Sequence, residues 1–188
     1  MTGETVQPGG RAPAPGELAL VQAFVNTHYD LTYDHGADLL ATPADVQRWL
    51  VGHRLVAGEV SVDESDRALV ITTREALRSL ARDDGERAAE RLNAAARGVG
   101  VEVRFGPRGP EFVAHDDDVR GALGLLLALV ARAMLDGTWH RLKVCPGEDC
   151  GWMFFDSSRN QSGRWCSMSV CGGREKAKAH YRRKRAHS

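Results

Sequence analysis

Residues 145–185 read CPGEDCGWMFFDSSRNQSGRWCSMSVCGGREKAKAHYRRKR, and this stretch contains every cysteine of the chain. Cys145, Cys150, Cys166 and Cys171 form two pairs with the spacing C-x4-C-x15-C-x4-C. Two close pairs of thiolates can supply the four tetrahedral ligands that zinc prefers. The fifteen residues between the pairs fall within the usual range for such sites. We therefore predict one structural Zn²⁺, held by these four cysteines.

The four cysteines leave other interpretations open, namely two disulfides, an iron–sulfur cluster or a redox switch. The chain starts without the apolar segment of an export signal, and we expect it in a reducing compartment, which disfavours disulfides. A catalytic metal is not expected because four thiolates close the coordination sphere of zinc. No nucleophile–base arrangement, P-loop or dinucleotide fingerprint is present, so we expect no enzymatic activity.

Four aromatic residues accompany the cysteines: Trp152, Phe154, Phe155 and Trp165. About 45 residues rarely bury enough apolar surface to fold alone, and a structural zinc contributes roughly 10–16 kcal/mol. We expect the aromatic side chains to form a small core around the metal.

A basic segment, residues 172–185, follows the last cysteine and is rich in the good helix formers Ala, Lys, Arg and Glu. Basic side chains recur on one face of the predicted helix, which is long enough to lie in a DNA major groove. We predict DNA contacts for Arg159, Arg164, Arg174, Lys176, Lys178, Tyr181, Arg182, Arg183, Lys184 and Arg185. A solvated tail, RNA binding and docking of a protein such as an RNA polymerase subunit are the alternatives.

The formal net charge of zero conceals an uneven distribution. From Arg141 onward there are 11 Lys and Arg against 4 Asp and Glu, whereas residues 1–140 hold 14 against 21. A basic end on an acidic body favours a polyanionic partner, here DNA.

The preceding residues predict a mainly α-helical domain with one small β-hairpin. Capping chemistry predicts helix starts at Thr42, at Asp63 or Ser65, and within residues 116–118. Val101 to Ala114 alternates around a Gly/Pro-rich turn and predicts the hairpin. We divide the chain into a disordered lead-in (1–16), a helical domain (17–140) and a zinc finger ending in a basic helix (141–188).

Asn26 and His28 belong to the one polar cluster of the helical domain with chemical promise, together with Tyr29, Asp30 and His35. They are the candidates for a ligand pocket, although polar residues after a helix often serve as caps and turns. We expect the helical domain to bind a small-molecule effector or to form a homodimer.

No membrane segment is expected, because the strongly apolar run Gly121–Ala131 has only 11 residues. We expect the protein in the cytoplasm, associated with the nucleoid.

The motifs resemble those of bacterial zinc-finger proteins named for a Cys-Gly-Asn-Arg (CGNR) signature, whose finger follows a helical domain called ABATE. The finger resemblance lies in the order of these motifs: Cys145-Pro146 with Cys150, Trp152, Phe154-Phe155-Asp156, Arg164-Trp165-Cys166-Ser167-Met168 and Cys171-Gly172-Gly173-Arg174. The helical domain shares Phe24-Val25-Asn26-Thr27 and Thr42-Pro43-Ala44-Asp45 with Trp49-Leu50.

The resemblance implies a stress-induced transcription regulator whose finger binds one zinc ion. One position departs from the signature, because Gly173 stands where the family has Asn. If that Asn caps the following helix, Gly replaces it at a cost of a few tenths of a kcal/mol. If it instead contacts a base or a phosphate, we expect this protein to bind more weakly or differently.

Overall fold

The computed structural model describes residues 7–29, 38–58, 60–82, 85–147 and 150–186. Within these residues lie six α-helices: Leu18–Val25 (α1), Pro43–Gly52 (α2), Glu64–Ala81 (α3), Gly85–Ala96 (α4), Val119–Leu135 (α5) and Gly173–Ala186 (α6). Two antiparallel hairpins pair Val101–Gly106 (β1) with Gly109–Ala114 (β2), and Leu142–Val144 (β3) with Met153–Phe155 (β4). Shorter turns are the 3₁₀ segments Pro8–Gly10 and Trp139–Arg141 and the π-helical turn Met168–Gly172. The predicted fold class, mainly α with a small hairpin, is confirmed.

Three helix starts form where capping chemistry predicts them. Thr42 and Asp63 each form a capping box with the acid three residues later, Asp45 and Asp66 respectively. In each box the side chain of the capping residue accepts from the backbone N–H of that acid, and the carboxylate of the acid accepts from the backbone N–H of the capping residue. Asp118 begins α5 by accepting from the backbone N–H of Gly121 at 2.8 Å. At the other end of α5, Gly137 adopts a φ of +75°, the left-handed conformation that ends helices.

The main core lies between α1, α2, α3 and α5. Its fully buried members include Phe24 from α1, Leu50 from α2, Leu77 from α3 and Leu123 from α5. Gly121 and Gly124 let the first hairpin approach α5 closely, since a Cβ on Gly124 would lie 2.7 Å from a methyl group of Val101. The helical domain is therefore built around α5.

The second hairpin, β3–β4, was not predicted and belongs to two cores at once. Leu142, Val144, Met153 and Phe155 pair on one face, which packs into the main core. The opposite face carries Phe154, which lies among the cysteines. One short hairpin thus joins the helical domain to the finger.

In the described part of the chain, no helix combines the length and the apolar character needed to cross a bilayer.

Candidate metal centre and nucleic-acid interface

The predicted ligands meet at one point. The Sγ atoms of Cys145, Cys150, Cys166 and Cys171 all lie within 4.8 Å of one another, and all four residues are buried. They are free thiols, with no disulfide among them. The four cysteines are positioned to bind one metal ion.

The donor set and its spacing fit zinc. At a Zn–S distance of about 2.3 Å, the edges of a sulfur tetrahedron measure about 3.8 Å. The Sγ atoms of Cys150 and Cys166 lie 3.7 Å apart, and those of Cys166 and Cys171 lie 3.5 Å apart. A single structural Zn²⁺ bound by four thiolates matches this arrangement.

The first cysteine pair is held by the β3–β4 hairpin. Cys145 follows β3, and its N–H donates to the carbonyl oxygen of Trp152 at 2.9 Å. Cys150 donates to the carbonyl oxygen of Gly147 at 3.0 Å, which closes the turn between the pair. Gly147 faces the sulfurs closely, since a Cβ there would lie 3.5 Å from Cys171 Sγ and 3.6 Å from Cys145 Sγ.

The second pair lies at the start of the C-terminal helix. Ser167 has extended backbone angles, and its hydroxyl accepts from the N–H of Val170 at 3.3 Å, so it caps the π-helical turn. Cys171 lies inside that turn and donates to the carbonyl oxygen of Ser167 at 3.1 Å. A metal bound to Cys171 is therefore attached to the first turn of the helix that continues into α6.

The thiol pKa values indicate why this cluster needs a cation. Hydrogen bonding between Cys145 and Cys150 lowers the pKa of Cys145 to about 2 and raises the pKa of Cys150 to about 12. Hydrogen bonds to those two sulfurs raise the pKa of Cys166, and burial raises the pKa of Cys171. One thiolate is thus stabilised by its neighbours, and each further one is disfavoured. Zinc offsets this repulsion, and its binding releases protons.

The aromatic core around the metal differs from the prediction in one residue. Trp152 and Phe154 are buried beside the cysteines, and Trp165 packs against them. Phe155 packs instead in the main core, because adjacent residues of a strand point to opposite faces. Tyr29 from the helical domain completes the small core, its ring 4.5 Å from that of Trp152 in an edge-on arrangement.

The N-terminal segment packs on the finger, so the prediction of a disordered lead-in is wrong for residues 7–16. Arg11 donates from Nε to the Cys166 carbonyl at 3.1 Å, and from its other two nitrogens to the carbonyls of Trp165 and Phe155. Its guanidinium also lies 4.8 Å from the centre of the Phe154 ring. Residues 1–6 lie outside the described part of the chain.

Asn26, a predicted pocket residue, is used to join the two parts of the chain. Its Nδ2 donates to the carbonyl oxygen of Met153, and its Oδ1 accepts from the N–H of Met153, both at 2.8 Å. The amide is buried, and it makes with Met153 the two hydrogen bonds that a neighbouring strand would make with β4. His28 is half-buried nearby, whereas Asp30 and His35 lie outside the described residues. A ligand pocket at this place stays a prediction.

Two buried arginines on α3 were missed by sequence reasoning. Arg74 forms a two-bond ion pair with Asp38, at 2.7 and 2.9 Å. Arg78 donates to the carbonyl oxygens of Val25, at 2.7 Å, and of His28 and Gly151. Gly151 directly follows the ligand Cys150, so Arg78 connects the helical domain to the first cysteine pair. The available signal was the four-residue spacing of two arginines on the buried face of an amphipathic helix.

The predicted DNA-binding residues lie on the surface. None of residues 173–185 of α6 is buried, and Arg159 and Arg164 are exposed in the loop between β4 and Cys166. Arg164 lies against the Trp165 ring, 5.3 Å from its centre. A cavity of about 370 Å³ beside Arg164 is lined by Ala81, Arg82, Lys143, Val144, Pro146, Gly163 and Arg164. Basic groups therefore occupy the outer side of the finger as well as its helix.

Comparison with known families agrees with this geometry. The model of the family ABATE, described as "Putative stress-induced transcription regulator", matches residues 18–137, more than half of the chain. The chain belongs to the ABATE family. A CGNR zinc finger model matches residues 141–184 of this ABATE protein and includes all four cysteines. A search of curated proteins found no match to the chain.

The departure from the signature at Gly173 has a clear structural setting. Gly173 has helical angles, φ −65° and ψ −43°, and lies between the π-helical turn and the rest of α6. Ser167, not residue 173, caps this continuous helix, so the idea that the signature Asn is the helix cap is wrong for this ABATE protein. A Cβ at position 173 would lie 3.4 Å from the carbonyl oxygen of Met168, so a side chain fits there with little adjustment.

Proposed function

We propose that this ABATE protein is a zinc-dependent transcription regulator that binds DNA through α6. The observation that carries the proposal is a highly basic, exposed helix whose first turn is attached to the metal cluster. The family description and the CGNR finger support a regulator, and the charge and position of α6 support DNA as its partner.

The dimensions of α6 suit a DNA groove. Its 14 residues span about 21 Å at 1.5 Å per residue. Arg174, Lys178, Arg182 and Arg185 share one face, with Tyr181 on the same side and exposed. Such a face can neutralise phosphates along about three turns of α6, while Tyr181 can reach sugars or base edges.

The attachment of α6 gives the proposed docking a direction. Zinc would join Cys171, in the helix, to Cys145 and Cys150, in the finger hairpin that packs on the main core. A helix held this way loses less orientational freedom on binding than a free basic tail does. Arg159 and Arg164, on the outer side of the same finger, would add phosphate contacts beside the helix.

The DNA proposal is tested by the double variant Arg182→Ala and Arg183→Ala. Each phosphate contact contributes about 0.9 to the slope of log affinity against log salt, so the slope should decrease by up to about 2. Affinity for random duplex DNA, measured by fluorescence anisotropy at several salt concentrations, should fall most at low salt.

A matched control removes two exposed arginines from another helix, Arg87 and Arg91 of α4. This variant loses the same charge and should keep the salt slope of the wild type. Equal affinity and slope in the α6 variant and the wild type would show that α6 does not bind DNA. Nuclease-resistant capture of a protein partner through α6 would then favour the docking alternative.

A further inference from the structure

Among the residues that the structure describes, no strand pairs with the outer edge of β1 on the helical domain. β1 pairs with β2 on one side and rests on α5, while residues 102–106 are exposed. Val103 is 51% exposed and Phe105 is 84% exposed, which is unusual for apolar residues of a strand. A strand edge with apolar side chains is a template for pairing with another strand.

The backbone groups that face outward can be assigned from the register. In an antiparallel pair, residues alternate between exchanging hydrogen bonds with the partner strand and pointing away from it. His115 donates to the carbonyl oxygen of Gly100 at 3.2 Å, so the even-numbered residues of β1 bond to β2. Val101, Val103 and Phe105 consequently direct their N–H and C=O groups away from β2, along the open edge.

The sequence of β1 is complementary to itself about Val103. When two copies of β1 run antiparallel with Val103 opposite Val103, Glu102 of one copy faces Arg104 of the other, and this occurs twice. Val101 then faces Phe105, also twice, and the outward N–H and C=O groups of all three apolar residues meet their counterparts. We propose that a second copy of this chain pairs at β1 in this register, giving a two-fold dimer with a four-stranded sheet.

The charged side chains are available for this exchange. Glu102 and Arg104 are 44% and 68% exposed and lie on the face opposite to Val103. Within one copy, Glu102 contacts Arg104 at 3.4 Å and His115 at 3.0 Å, so its carboxylate already lies beside a guanidinium. Pairing adds the Arg104 of the second copy to this carboxylate, and the same happens at the symmetry-related position.

The apolar face gains cover in the same arrangement. Val101 of each copy packs on α5 near Gly124, and Phe105 of the second copy would lie next to it on the same face. Val103 and the paired Phe112 would lie near the two-fold axis. Both α5 helices then flank one apolar surface, and the dimer presents two α6 helices. The dimer does not depend on whether α6 binds DNA.

The test uses two variants that each destroy the complementarity and together restore it. Glu102→Arg places four arginines at the contact, and Arg104→Glu places four glutamates there. Each variant alone should sediment at the mass of one chain, at concentrations where the wild type sediments at twice that mass. An equimolar mixture should return to the double mass, because every Arg then faces a Glu.

Arg108→Glu provides the matched control, since Arg108 is exposed in the β1–β2 turn, outside the proposed contact. It changes the charge as Arg104→Glu does and should remain a dimer. Val103→Pro removes an outward N–H without touching the bonds to β2, and it should also give single chains. A wild type that stays at the mass of one chain, or a mixture of the swapped variants that does not dimerise, would overturn the proposal.

Discussion

Replacing Asn26 with Asp exchanges one NH₂ group for an oxygen at the junction between α1 and β4. The acceptor for the Met153 N–H remains, but the Asn26 donor to the Met153 carbonyl is lost, which leaves the Gln22 Nε2 donor at 3.1 Å. A carboxylate oxygen would then face the Met153 carbonyl oxygen at 2.8 Å. Asn26 is only 1% exposed, so bulk water does not solvate a charge placed there in the native arrangement. The side chain can keep both contacts only by taking up a proton, which raises its pKa in the folded protein.

The expected loss of stability follows from the free energy needed to keep that proton bound at pH 7. Holding a carboxyl group with an unfolded pKa of about 3.9 neutral at pH 7 costs about 4 kcal/mol, at 1.36 kcal/mol per unit. Water entry or a small shift of β4 sets the lower bound, a lost buried hydrogen bond of about 1–3 kcal/mol. We expect Asn26→Asp to lower the free energy of unfolding by about 2–4 kcal/mol at pH 7.

The pH dependence identifies the cause. Because the folded-state pKa is raised, the stability lost at neutral pH returns as the pH falls towards the unfolded pKa, by up to about 1.4 kcal/mol per unit. Urea unfolding followed by tryptophan fluorescence at pH 5.5 to 8, with saturating zinc, measures the difference from wild type at each pH. Effects of the thiols cancel in that difference.

Asn26→Ala is the control, since it removes both contacts without adding a titratable group, and its cost should not change with pH. A pH-independent cost for Asn26→Asp, or one below about 1 kcal/mol, would refute the assignment of the Asn26–Met153 pairing.

Three further perturbations test other contacts. Asp156→Asn should lower the free energy of unfolding by about 2–4 kcal/mol at pH 7. Burial alone would raise the pKa of Asp156, but hydrogen bonds to its carboxylate, including one from Lys143 at 2.7 Å, outweigh burial and lower it. The wild type should lose this stabilisation only below about pH 4, where the carboxylate takes up a proton. A variant as stable as the wild type in urea unfolding would contradict the prediction. Gly173→Ala should raise α6 helicity and stability by up to about 1 kcal/mol, and a lower melting temperature would show that position 173 needs glycine. Arg11→Ala removes three bonds to finger carbonyls, so a chelator should extract zinc faster; an unchanged rate would show that the N-terminal segment does not hold the finger.

Features that depend on neighbours in the sequence were predicted well. The caps at Thr42 and Asp63 and the β1–β2 hairpin each depend on residues a few positions apart. The metal centre was also predictable, because zinc imposes a spacing on its ligands that can be recognised without any tertiary information.

Features that depend on distant partners were missed. Arg11 bonds to carbonyl groups more than 140 residues away, and a Gly/Pro-rich composition alone resembles disorder. Asn26 was predicted as a ligand-pocket residue, but its partners are the N–H and C=O groups of Met153 in β4. Every residue type except proline carries both groups, so the sequence does not identify such a partner. Arg78 likewise bonds to carbonyls outside its own helix, in addition to Glu75 one turn earlier in α3.

The β3–β4 hairpin sets the limit on how this protein can be re-engineered. A fragment beginning at residue 141 would carry Leu142, Val144, Met153 and Phe155 with nothing to cover them, and we expect such a fragment to aggregate even when loaded with zinc. If the whole finger were transplanted into another ABATE protein, the same four side chains would pack against a main core with different residues, and the contact would fit poorly. A chimera with a different C-terminal helix is better joined just after Gly172, because the incoming helix then takes its orientation from Cys171 and the contact of β3–β4 with the main core is unchanged.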